Sequence, residues 1–176
     1  EDMKIIGVGT NTIVPAIEND QVAAAMGVDP WVTQIVKRGK GFLLVDLRTE
    51  KDTRAIFGGP YQFTGLLARE DIIEKRPVMI QKVVNALVKA NKWMAATPVE
   101  KWAEVLAADL LGDRAAWIES MKASKEMFTA DSLPTAEGVM SVLRAFEAVG
   151  QIPDATKMDP SGLIDTRFVK RALERR

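Results

Sequence analysis

Residues 61–100, YQFTGLLAREDIIEKRPVMIQKVVNALVKANKWMAATPVE, limit the folds open to this chain more than any other stretch. They open with a short apolar run, 61–68, behind the turn signal Gly58, Gly59, Pro60, and this predicts a buried strand. From Pro77 onward, Ile80, Val83, Val84, Leu87, Ala90 and Met94 recur at helical steps, with Gln81, Lys82, Asn85, Lys89 and Lys92 on the other side. A long helix with one core face and one wet face is expected. Thr97, Pro98, Val99, Glu100 has the form of a capping box with proline at the first helical position, so one helix ends and another starts there. Trp102, Val105, Leu106 and Leu110 supply the second helix with its own apolar face.

Composition narrows the chemistry. With 176 residues and 47% apolar side chains, the chain is long enough for one well-buried domain or two small lobes and too apolar for disorder. Lys+Arg and Asp+Glu stand at 24 each, so no global field draws the protein to nucleic acid or to an anionic membrane. The basic residues near the end, Lys170, Arg171, Arg175 and Arg176, read as a solvated helix face. Cysteine is absent, which removes disulfides, thiolate metal sites and a thiol nucleophile. Histidine is absent as well, and with it go the common zinc sites, the Ser-His-Asp arrangement and the usual general base. No metal, cofactor or catalytic residue is therefore assigned. No apolar run of transmembrane length and no basic, apolar leader is seen, and the opening Glu1, Asp2, Met3 reads as an internal piece or a processed product.

In chain order, residues 4–9 read as a short buried strand ending in glycines. Thr10, Asn11 and Thr12 follow as caps for a helix through Ile13, Val14, Ala16 and Ile17. The run GVGTNT fails as a dinucleotide fingerprint, since Thr12 stands at the third glycine and Pro15 interrupts the helix. Backbone N–H groups with hydroxyl and amide side chains beside them can still bind an anion or a polar head group; a capped surface helix is the alternative. Residues 21–27 read as a central strand. At its end Asp29 is a helix cap or a cleft-facing acid, and Trp31 a stacking platform or a packing partner of Ile35. Residues 42–46, FLLVD, form a continuous apolar strand of the kind found in parallel sheets covered on both faces. Arg48, just past its carboxyl end, is an anion partner or pairs with Glu50 or Asp52. Residues 49–60 read as a polar connection. Beyond Asp109 the chain is helical: Asp113 caps 114–123, Pro134 and Thr135 start a helix ended by Gly150, and Asp165 caps a short helix over 166–173.

The run from Leu66 to Glu100, with Ala68, Arg69, Glu70, Asp71, Ile72, Ile73, Glu74, Lys75, Arg76, Pro77 at its head, resembles a segment of bacterial solute-binding proteins. The branch is that of ABC importers for nitrate, sulfonates, taurine and thiamine precursors (NMT1/THI5-like). The tail, Val149, Gly150, Gln151, Ile152 with Asp165, Phe168, Val169, Ala172, Leu173, is similar to the family's closing segment, and Asp29, Pro30, Trp31 to its acidic-proline-aromatic step. The resemblance spans about Met3 to Leu173, with Arg76 where asparagine or histidine is common and Ala23 where aspartate is usual.

What the resemblance implies is an α/β chain: part of a type II periplasmic-binding-protein fold, a parallel-type sheet followed by a helix-rich half. Residues 1–60 would end the second lobe; residues 61–176 would hold the crossover strand and the closing helices of the first, most of which lies ahead of Lys4. The implied function is capture of a small anionic or heterocyclic solute in an interlobe cleft and delivery to the permease subunits of an ABC importer, in the periplasm or outside the cell. Recognition without turnover needs N–H and hydroxyl donors, a positive charge and an aromatic wall. Thr10, Asn11, Thr12, Asp29, Trp31, Arg48 and Tyr61 are the candidates for ligand contact. A thiamine-pyrimidine-synthase-like enzyme shares the fold, but the histidine chemistry it implies is missing here. A helical interaction or regulatory module is the other alternative, because nearly everything after Arg76 reads as helix. A truncated chain with exposed sheet edges is expected to self-associate.

Overall fold

The structure, a computed structural model, describes residues 3–9 and 12–174. Ten α-helices follow one another among them: α1 (Ile13–Glu18), α2 (Trp31–Lys37), α3 (Glu50–Phe57), α4 (Glu70–Lys75), α5 (Pro77–Ala96), α6 (Val99–Val105), α7 (Ala108–Leu111), α8 (Arg114–Ala123), α9 (Ala136–Ala148) and α10 (Arg167–Glu174). Short 3-10 turns occur at Lys125–Met127, Ala155–Lys157 and Pro160–Leu163.

The parallel sheet is absent among the described residues, and this overturns the α/β reading. Residues 4–9, 21–27, 42–46 and 61–68 lack strand structure, and no backbone hydrogen bond pairs one with another. Their apolar side chains lie open: Ile5 is 87% exposed, Met26 96%, Phe42 83% and Leu67 93%. The physical reason is that a buried parallel strand needs a hydrogen-bonded neighbour and a cover on each face. An apolar run reports only that it would accept such a site, and here none is built around it.

Helix boundaries follow local chemistry. The expected break between two helices falls at Thr97 and Pro98, between α5 and α6. Asp113 accepts from the Ala116 N–H at 3.0 Å, and Thr135 Oγ1 from the Gly138 N–H at 3.0 Å. The Asp165 carboxylate accepts from the Arg167 N–H at 3.0 Å. Residues 49–60, expected to be a polar connection, hold α3 instead. The helix is marked at both ends: the Thr49 hydroxyl accepts from the Asp52 N–H, and Gly58 closes it with φ +71°.

The chain forms two compact units. One comprises the described residues of Glu1–Val45 with Val99–Lys125, the other those of Asp46–Pro98 with Glu126–Arg176. In the first, α6 buries Val99, Trp102 and Ala103, and α1 buries Ile13, Val14 and Ala16. Arg38 pairs with Glu18 at 2.7 Å between α2 and α1, Lys37 pairs with Glu119 of α8, and Lys122 with Glu100 at 2.5 Å between α8 and α6. In the second unit α10 lies on α5 through Val88, Val169 and Ala172, with Val84, Leu133 and Leu173 around them. A second cluster joins Val139 and Leu143 of α9 to Ala155, with Met140 and Ile164.

The buried face of α5 differs from the one its apolar residues mark. Ile80, Gln81 and Val88 are buried, whereas Val83 and Leu87 are 40% and 46% exposed. The polar Gln81 is admitted because its Nε2 donates to the Phe168 carbonyl at 2.8 Å across the α5–α10 contact.

Gly59 makes a close approach to α9 in this unit. A Cβ there would lie 2.6 Å from Ser141 Oγ, on a serine with no exposed surface, and 3.2 Å from an Arg144 guanidinium nitrogen. Gly59→Ala is therefore expected to lower stability by about 1–3 kcal/mol in denaturant unfolding. Gly65→Ala, where nothing lies within 4 Å, serves as the control and is expected to stay within about 0.5 kcal/mol.

Candidate functional site

Thr10 and Asn11 lie outside the described residues. The five other candidates divide between the units: Thr12, Asp29 and Trp31 belong to the first, Arg48 and Tyr61 to the second.

In the first unit, Thr12 precedes α1, where its hydroxyl donates to the Gly9 carbonyl at 2.8 Å. The turn that leads into α2 packs against the start of α1, since a Cβ on Gly27 would stand 3.3 Å from Val32 and 3.6 Å from Ile13. Thr12 and the 27–31 turn thus share one end of the α1–α2 pair. Asp29 is engaged within the chain: its Oδ1 accepts from the Thr33 N–H at 3.0 Å and from the Thr33 hydroxyl at 2.7 Å. Its Oδ2 accepts from the Ser124 hydroxyl at 2.7 Å, which ties the turn to the end of α8. Trp31, the first residue of α2, is half-buried.

In the second unit Arg48 grips Asp46 in bidentate fashion, Nε to Oδ1 at 2.8 Å and a terminal nitrogen to Oδ2 at 2.6 Å, while its own N–H donates to Oδ1 at 3.0 Å. Glu50 and Asp52, the partners weighed from sequence, are used elsewhere: Glu50 pairs with Arg54, and Asp52 accepts the Thr49 hydroxyl at 2.5 Å. The side-chain hydrogen bonds from Arg48 hold the Asp46 carboxyl below the ordinary aspartate range, against the opposing effect of its partial burial.

Tyr61 packs against two rings, its centroid 4.2 Å from that of Phe57 and 4.8 Å from that of Phe63, both tilted. Sequence reasoning missed Phe57 and Phe63 as its neighbours, because the cluster closes only when α3 forms and the Gly58-Gly59 turn folds back. The signal available was the capped helix itself, which sets Phe57 at the turn. Alongside Gly59 lies the Arg144 guanidinium, which donates to Ser141 Oγ at 2.9 Å; a Glu137 carboxylate oxygen stands at the same turn, 3.3 Å from where a Gly59 Cβ would be, without a direct ion pair to Arg144 among the described residues. Nearby, Arg54 joins α3 to α9 through Glu137 at 2.9 Å. An aromatic stack is suited to a small planar molecule, and a guanidinium to an anionic one. No group of three or more acidic residues able to hold a metal occurs among the described residues, and no described helix is long and apolar enough to cross a membrane.

The family model described as NMT1-like matches residues 1–110, well over half of the chain. The chain belongs to the NMT1-like family. Among solved structures, one of a protein from Bordetella bronchiseptica RB50 is 31% identical and superposes with a TM-score of 0.82. The alignment covers 92% of this chain and 51% of that one, so the chain spans about half the length of the protein it matches. No curated protein matches it.

Two outcomes test the geometry of this NMT1-like chain. Asp29→Ala removes an acceptor used by α2 and α8 and is expected to cost about 1–2 kcal/mol in unfolding, with Ser124→Ala costing less. Asp46, Asp159 and Asp165 all have carboxyl groups held low by hydrogen bonds from Arg48, Ser161 and Arg167. A depressed carboxyl stabilises above its unfolded value, and that contribution is lost as pH falls through the depressed one. Melting temperature should therefore drop progressively from about pH 5 downward, and more shallowly in Asp46→Asn.

Proposed function

We infer that this chain is part of a solute-binding component of an ABC importer. It captures a small anionic or heterocyclic solute outside the cytoplasmic membrane and passes it to a permease without chemical change. Membership of the NMT1-like family over residues 1–110 carries the reading. That family consists mostly of binding proteins without catalytic activity. The physical support lies in the second unit, where Tyr61 offers a flat apolar wall stiffened by Phe57 and Phe63, and Arg144 a cation for the solute's negative edge. Arg48, locked onto Asp46, orders its own turn and leaves anion attraction to Arg144.

The test is thermal unfolding of the chain with nitrate, taurine, an alkanesulfonate and an aminopyrimidine, followed by native mass spectrometry of whatever is retained. A ligand at about a hundredfold excess over its dissociation constant stabilises by about 2.7 kcal/mol, a clear melting shift. Tyr61→Ala is expected to weaken the active compound about tenfold or more, and the solute should be recovered unaltered. The reading fails if no small solute shifts the melting curve, and a chemically converted product would replace it with an enzymatic one.

A further inference from the structure

The helix α5 is apolar on two sides, and α10 covers one of them. Val84 and Val88 pack toward α10, and Gln81 bonds to it alongside. At 100° per residue, Met79, Val83, Ala86, Leu87, Ala90 and Trp93 share a stripe on the side turned away from that seam. Their steps of three and four residues continue along about four turns. Met79 is 42% exposed, Val83 40%, Leu87 46% and Trp93 39%, and Ala86 and Ala90 are open as well. Apolar residues exposed singly are ordinary, whereas a run of them down one helix face marks a surface built to be covered.

Charge narrows what covers it. The helix carries Lys82, Lys89 and Lys92 and no acidic residue. Lys82 and Lys89 are exposed and stand two turns apart at one edge of the stripe. A second copy docked α5 against α5 would bring another three lysines and no carboxylate on either helix, so like charges oppose it. A bilayer fits no better, because Met79, Val83 and Leu87 are half-exposed and recessed among their neighbours, and insertion needs a face that stands clear. The stripe and its edge call for a polypeptide with an apolar surface bordered by carboxylates. The Bordetella bronchiseptica relative shares this fold and carries about as much chain again beyond the part that superposes.

We propose that the outer face of α5 is an interface, and that its occupant is a polypeptide equivalent to the one this relative carries beyond the superposed part. That polypeptide lays an apolar surface on Met79, Val83, Leu87 and Trp93 and sets carboxylates opposite Lys82 and Lys89. The inference rests on the exposed stripe, its charge and the shared fold, and it is independent of the solute-binding reading.

Two measurements decide the matter. The whole chain is co-expressed with the part of the Bordetella protein outside the superposition, and native mass spectrometry should find a one-to-one complex. Val83→Lys with Leu87→Lys should weaken that complex about tenfold or more while leaving the circular dichroism of the chain alone unchanged, since both side chains are already half-exposed. Lys82→Glu with Lys89→Glu should weaken it about tenfold, an effect that high salt reduces. In the intact Bordetella protein, lysine at the two positions aligned with Val83 and Leu87 should lower the melting temperature by about 5 °C or more, against less than about 2 °C for the same pair in this chain. This second measurement decides alone if the separated part of the relative does not fold. An intact relative whose melting is unmoved, a complex indifferent to the α5 variants, or a chain that uses α5 to pair with itself or with anionic vesicles instead would overturn the proposal.

Discussion

The contact between α5 and α10 holds the second unit together, and its composition explains why it is specific as well as adhesive. Val88, Val169 and Ala172 remove apolar surface from water, with Val84, Leu133 and Leu173 closing the edges. Burial of this kind is non-directional and would tolerate a helix slipped along its neighbour. The bond from Gln81 to the Phe168 carbonyl is directional, and a slip by one turn would leave a buried amide and a buried carbonyl unpaired. One polar residue in an apolar seam thus fixes the register that the apolar residues only favour. The same reasoning applies where Gly59 meets Ser141: the small residue sets how near the α3 turn comes to α9, and Arg54 with Glu137 fixes the pairing.

Much of the helical half was legible because its signals are local. Asp113, Thr135 and Asp165 each satisfy an N–H within three residues of themselves, so type and spacing suffice to place them. The break at Thr97 and Pro98 is local in the same sense. The helix α3 was equally marked, by Thr49 and Asp52 at one end and Gly58 at the other, and went unread because its polar face outweighs its apolar residues. Once α3 is missed, the neighbours of Tyr61 are missed with it.

The expected sheet shows where local reading ends. Residues 42–45 and 61–68 have the side chains that buried strands require, yet nothing in either stretch states which partner it has. Pairing is a property of two segments, and here the two fall in different compact units. The buried side of α5 is a milder case. Val83 and Leu87 are as apolar as Val88, and only the position of α10 decides which of them is covered.

Charge is arranged with the same locality, and this bears on how an anion could be recognised. Some of the acidic and basic residues are realised as short-range pairs: Asp46 with Arg48, Asp165 with Arg167, Asp71 with Arg69 and Glu104 with Lys101. The first two are the same device, an Asp-x-Arg turn in which the carboxylate accepts both the arginine N–H and two guanidinium nitrogens. Exposed pairs of this sort add little stability, and what they do is cancel field over a few ångströms. An anion is attracted where a cation lacks its own carboxylate and stands beside something the ligand can lie against.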